Sequence, residues 1–234
     1  MSMKFPQNKS LLFTAAACAA LTACGGGGSS STSEPTAAPA AATFADCFVI
    51  TPGVIYTTTG DLKEKIVGVK ESFEGAERTG IAVAPVATGV RDAVAFWSPE
   101  ADGIHFWGQV NYNNADHSAS SKDVSQGNVL PLTMQVGQSV TLDYTETSTF
   151  FNDGTTSTQP LKATVTFEGF ETVTFGGKTF DNACRIKTVD PTHPQDGVST
   201  DWYAKGFGLI HSHQLDGAGN VAFDMALDTI IAQP

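Results

Sequence analysis

Leu161-Lys162-Ala163-Thr164-Val165-Thr166-Phe167-Glu168 is the stretch that decides how this chain folds. Leu161, Ala163, Val165 and Phe167 fall on one side, and Lys162, Thr164, Thr166 and Glu168 on the other. A strict period of two describes a strand with one dry face and one wet face. The same pattern sets Val140, Leu142 and Tyr144 against Thr141, Asp143 and Thr145. It sets Val221, Phe223, Met225 and Leu227 against Ala222, Asp224, Ala226 and Asp228, and Ile104, Phe106, Val110 and Tyr112 against His105, Trp107, Gln109 and Asn111. One-sided strands belong to antiparallel sheet, whereas a parallel α/β fold needs helical patterns between them. Those patterns are missing.

Working outward, Gly176-Gly177 and Asp216-Gly217 sit between strand-like segments where hairpin turns are needed. The 28 threonines favour strands as well. The expected fold is therefore mainly all-β, a twisted antiparallel sheet forming a half-barrel or incomplete barrel, over residues 44–234. Residues 61–73 fit two patterns. Leu62, Ile66, Val69 and Phe73 make a helical stripe capped by Asp61, while Val67-Gly68-Val69 alternates like a strand. The strand is the preferred reading. The polar stretch Asn113–Asn128 reads as an exposed loop. Phe73-Glu74-Gly75-Ala76-Glu77 echoes Phe167-Glu168-Gly169-Phe170-Glu171, and each follows a Gly-containing turn and a Tyr-bearing strand. Two similar meander halves would produce that echo.

The N-terminus is built differently. Lys4 and Lys9 precede the apolar run Leu11–Leu21, which ends in Leu21-Thr22-Ala23-Cys24. This is the layout of a secretory signal over residues 1–23, too short in its apolar part to span a bilayer. Leu-Thr-Ala-Cys also resembles the bacterial lipoprotein processing box, in which cleavage before the cysteine leaves it as the acylated first residue. Cys24 is thus the expected lipidation site, with palmitate-type chains. Residues 24–43, rich in Gly, Ser, Thr, Pro and Ala, cannot pack a core and read as a flexible tether. Each buried CH₂ contributes about 0.8 kcal/mol, so several acyl chains hold firmly where one does not. Gly25 rather than Asp follows the cysteine, which by resemblance to Gram-negative lipoproteins points to the outer membrane.

The formal charge is −11 at pH 7 and the pI about 4.7, which argues against a nucleic-acid partner. Removing residues 1–23 takes away two lysines and no acid, so the acidic body gains nothing from anionic headgroups and the membrane contact is expected through the lipid alone.

Cys47 and Cys184 remain for the folded part. In an oxidising compartment an even pair reads as one disulfide, with two unpaired buried thiols as the alternative. Closing a loop of over 100 residues would contribute roughly 4–5 kcal/mol.

Other motifs carry less chemistry than they suggest. Gly176-Gly177-Lys178-Thr179 lacks the glycine a phosphate loop needs at position 172, which is Thr. There is no Gly-x-Ser-x-Gly nucleophile elbow. His211 and His213 share one strand face and could chelate a metal if His105, His117 or His193 joined them; partly buried, hydrogen-bonded histidines are the competing reading. Asp224 with Asp228 reads as a solvated strand face rather than an acid/base pair, and with 24 acids in the chain some proximity, as of Glu168 to Glu171, is expected by chance. No catalytic residue, metal site or cofactor is assigned.

Asp201-Trp202-Tyr203-Ala204-Lys205-Gly206-Phe207-Gly208-Leu209-Ile210, taken with Phe167–Lys187, resembles uncharacterised lipoprotein domains of Gram-negative bacteria. Those carry a Phe-x-Gly-x-Glu strand, a Gly-Lys/Gly-Thr-Phe hairpin with a cysteine, and Trp-Tyr-Ala-x-Gly-x-Gly-Leu. The resemblance is best over residues 160–212. It implies a curved antiparallel sheet like those of envelope lipoprotein carriers and assembly factors, and it supplies no catalytic residues. The expectation is a non-enzymatic, lipid-anchored envelope protein. It would bind a partner protein or an apolar ligand, or serve a structural role, with Trp97, Trp107 and Trp202 as exposed or cavity-lining aromatics and core packing as the better reading for at least one of them. The competing expectation is a secreted hydrolase acting on envelope polymers through a carboxylate or His site.

Overall fold

The computed structural model describes residues 42–60, 63–113, 115–193 and 197–234. Cys24, the signal segment and residues 24–41 of the tether lie outside them. Thirteen strands follow one another: β1 (Ile55–Gly60), β2 (Glu64–Phe73), β3 (Ala76–Pro85), β4 (Ala93–Glu100), β5 (Gly103–Tyr112), β6 (Ala119–Gln126), β7 (Val129–Leu130), β8 (Ser139–Phe150), β9 (Thr156–Phe175), β10 (Lys178–Val189), β11 (Val198–Ala204), β12 (Gly208–Leu215) and β13 (Val221–Ala232). Apart from the two-residue β7, each pairs antiparallel with its chain neighbours, β6 passing over β7 to β8, and β13 returns to pair with β1. The result is a closed barrel of 12 strands, not an incomplete one. Joining the first strand to the last closes the sheet, and Thr156–Ala163 of β9, which runs past the end of β10, pairs with β8 alone among the described strands.

Closure at this width creates a filling problem. About 8 strands enclose an interior that side chains alone can fill, and wider barrels need something more. Here the chain entering β1 supplies it. A short 3₁₀ helix, Phe44–Phe48, is capped by Thr43, whose hydroxyl accepts from the Asp46 amide while the Asp46 carboxylate accepts from Thr43. Phe44, Cys47 and Phe48 are buried. The Phe48 ring packs on Tyr203 of β11 (centroids 4.9 Å apart) and on Phe106 of β5 (5.8 Å), so it bridges walls far apart in the ring. Phe44 lies 4.9 Å from the Phe167 ring on β9. Further along, Ile50 bridges to Gly206 and Phe207, and Gly53 and Val54 exchange backbone hydrogen bonds with Gly68 on β2. The segment is a plug. Burying each phenylalanine contributes about 1.5–3 kcal/mol.

Cys47 on the plug and Cys184 on β10 form a disulfide across 137 residues of sequence, with Cα atoms 6.0 Å apart. Asp46 adds a 2.6 Å contact to Lys205 at the β11–β12 turn.

Three local expectations need correction. Ala119–Gln126, expected as loop, is strand β6; its backbone is satisfied by β5 on one side and β8 on the other, so Ser, Lys and Asp suffice where partners supply the ladder. The alternation in β5 also breaks. Gly108 adopts φ 132°, and a Cβ there would sit 2.0 Å from the Asp123 carbonyl oxygen. Phe106 therefore joins the main core, whereas Trp107, Val110 and Tyr112 all join a second cluster around Phe73, Val94 and Phe96. The echo between halves is real only in strand order. Phe73 ends the second strand of the run β1–β6, with Glu74-Gly75 as the turn after it, whereas Phe167-Glu168-Gly169 is mid-strand in β9, the second strand of the run β8–β13. Of the ambiguous residues 61–73, Glu64–Phe73 is strand, and Asp61 and Leu62 lie outside the described residues.

Candidate functional site

One cavity of about 160 Å³ opens inside the barrel between the plug and the β5–β11 wall. Its floor is apolar, with Phe48, Leu130, Leu142, Val165 and Ile186. Its rim is polar and half-buried, formed by Tyr144, Asn128, Thr188 and Asp201. Register explains the arrangement: Asp201 on β11 stands opposite Ile186 on β10 and Ser212 on β12, so it shares their inward face.

Asp201 is the one carboxylate among the lining residues. Both its oxygens accept from the Ser199 hydroxyl at 3.0 Å, and Ser212 donates to it as well. Burial nevertheless pushes the Asp201 carboxyl above its ordinary value, because two neutral hydroxyls do not replace water around a charge. Tyr203 beside it is pushed well up, first by burial and then by the nearby Asp201 charge. Deeper in the core, the Tyr56 hydroxyl is raised by burial too and donates to the Leu209 carbonyl.

The opposite face of β11 and β12 carries a different constellation. Trp202 stacks on His211 (4.5 Å, 19°) and donates from Nε1 to Glu171 Oε2 at 2.8 Å. Arg185 holds Glu168 (2.7 Å) and Glu171 (3.0 Å), with its guanidinium 5.4 Å from the Trp202 ring centre. His211 and His213 do come together, but around Asp224, whose Oδ1 lies 3.2 and 3.0 Å from them. Asp224 is held below the usual carboxylate range, chiefly by its hydrogen bond with His213. His105 and His193 make separate pairs with Asp102 and Asp190. Among the described residues no group of three or more His, Cys, Asp or Glu side chains is arranged to hold a metal ion.

Other expected sites resolve into structure. Gly176-Gly177 is the tip of the β9–β10 hairpin, with φ 56° and 73°, and a strand rather than a helix follows. Trp97 is a core residue, and Trp107 lies under the Arg78 guanidinium, 3.6 Å from its ring centre. None of Trp97, Trp107 and Trp202 lines the cavity. The sequence points to a cavity-lining role for the tryptophans, whereas the residues that line the cavity are others. Ser199, Asp201 and Tyr203 alternate on β11, but alternation alone does not say which face turns inward.

No family model matches the chain, and no curated protein matches it. It is similar to the crystal structure of a candidate exported protein with a YmcC-like fold from Bacteroides fragilis, at 14% identity and a TM-score of 0.46 over 79% of this chain and 98% of that one. It is similar as well to a candidate lipoprotein from Parabacteroides distasonis, at 13% identity and a TM-score of 0.40 over 79% of this chain and 97% of that one. Neither likeness bears on the chemistry of the cavity.

Proposed function

We propose that this chain is a lipid-anchored, non-enzymatic protein of the cell envelope that acts by binding a protein partner on the outside of its barrel. The observation that carries this reading is the plug. A carrier of acyl chains needs an interior of the size ligand pockets commonly reach, about 300–1,000 Å³. Here the interior is occupied by Phe44–Phe48, that segment is cross-linked to the wall, and about 160 Å³ remains. The apolar ligand of the sequence reading is therefore disfavoured, and the hydrolase gains no support from a cavity whose lining includes one carboxylate rather than a facing pair.

The outside offers a surface instead. Phe150 and Phe151 are 43% and 48% exposed at the end of the β8–β9 hairpin. On the same hairpin, Thr156–Ala163 of β9 pairs with β8 but, among the described residues, with no strand on its other side. Exposed aromatics beside a free edge suit docking of another chain. Lipidation at Cys24 and an outer-membrane address complete the proposal.

The test is fractionation combined with site-specific photo-crosslinking in the native host. Wild type should sediment with membranes and Cys24→Ala should not; a photoreactive residue at Phe151 should give a discrete adduct that one at Lys63 does not. A soluble wild-type chain would overturn the anchor, and equal crosslinking at both positions would overturn the docking surface.

A further inference from the structure

We propose that the cavity under Asp201 binds a small organic ammonium cation, of the size of a trimethylammonium group. Its volume, about 160 Å³, matches an engineered cavity of about 150 Å³ that accepts benzene. Four aromatic residues line it, Phe48 from the plug, Phe106, Tyr144 and Tyr203, beside the aliphatic floor. Aromatic rings attract cations through their faces, the interaction by which quaternary ammonium groups are recognised elsewhere. Asp201 carries the one carboxyl group in the lining, and no Lys or Arg is among the lining residues. Ser199 and Ser212 orient that carboxylate but bring no charge of their own.

The competing occupants fit less well. A calcium ion takes 6–8 oxygen ligands, and a floor of Leu130, Val165 and Ile186 offers none. A neutral apolar molecule would cover the carboxylate without compensating it, which is costly. A methylated ammonium satisfies both halves of the site, presenting charge to Asp201 and methyl groups to the rings. The cation could reach the site free in solution or as the head group of a lipid. Neither source requires lipidation at Cys24 or a protein partner, so this inference stands or falls apart from the proposed function.

The experiment is calorimetric titration of the mature protein with tetramethylammonium, with choline and with 3,3-dimethylbutan-1-ol, the neutral isostere of choline. The two cations should bind saturably and the isostere at least tenfold more weakly; Asp201→Asn should weaken the cations by at least tenfold. Absence of cation binding, equal binding of the isostere, or full affinity in Asp201→Asn would overturn the proposal. If Asp201→Asn does not fold, the cation-to-isostere ratio in the wild type decides. Vesicles of phosphatidylcholine set against free choline separate the sources: competition assigns the head group, and its absence assigns the free cation.

Discussion

Cys47 sits on the 3₁₀ helix inside the barrel and is bonded to Cys184 on β10, so the segment that fills the interior is covalently part of the wall. In the unfolded chain that bond removes conformational freedom from a long loop; in the native one it keeps Phe44 and Phe48 from leaving together. Reduction, or Cys184→Ala, should cost about 2–5 kcal/mol. At about 2–4 °C per kcal/mol for a domain of this size, thermal unfolding should move down by roughly 4–20 °C. Calorimetry with and without reductant checks this: the variant should melt where the reduced wild type does and ignore the reductant.

Phe48→Ala should destabilise the domain by about 3–5 kcal/mol, because the ring packs on Tyr203 and Phe106 and its removal enlarges the cavity it lines. The enlarged cavity should also take up apolar molecules that the wild type refuses. Denaturant unfolding measures the first effect, and titration with a benzene-sized hydrocarbon the second.

Gly108→Ala tests the bulge in β5. At φ 132° an L side chain is strained, and the new Cβ would meet the Asp123 carbonyl at 2.0 Å. A loss of about 1–3 kcal/mol is expected. Unfolding of the variant alongside Gly75→Ala, at a hairpin tip with open space around it, separates the steric part from the φ part.

Two carboxylates should give opposite pH signatures. Lys205 holds Asp46 down to about 2, first through its hydrogen bond and then with help from Thr43. A depressed folded pKa contributes stability above the unfolded value of about 3.9, lost as pH falls toward 2. Lys205→Met should flatten the melting curve in that window. Asp201 is raised by burial, so its sign reverses: stability is fullest below the unfolded pKa and declines as pH rises through the folded one. Asp201→Asn should melt higher than wild type at pH 7 and equally at pH 3.

The strands were legible wherever one face is dry. Leu161–Glu168, Val140–Thr145 and Val221–Asp228 lie in β9, β8 and β13; the alternation holds in the first two, and in β13 Met225 and Leu227 are buried while Val221, expected on the same dry face, is 60% exposed. Strand β6 was not, because a strand with neighbours on both sides needs little apolar content of its own. Closure was illegible too: it depends on β13 meeting β1, a pairing of residues at opposite ends of the chain. The disulfide partners could be named, but not that their bond fixes a plug. The histidine pair was legible as a pair, whereas Asp224 as their shared partner comes from the register of β12 against β13, His213 standing opposite Asp224. Asp201 stood in plain view beside Trp202, yet its position over a cavity comes from the walls, not from its own strand.

The most direct measurement is native mass spectrometry of the protein extracted from membranes of its own host in mild detergent. The expected spectrum shows a chain beginning at residue 24, acylated there, and two hydrogen atoms lighter for the oxidised Cys47–Cys184 pair. A native N-terminus elsewhere, or free thiols at Cys47 and Cys184, would contradict a self-plugged, covalently anchored module.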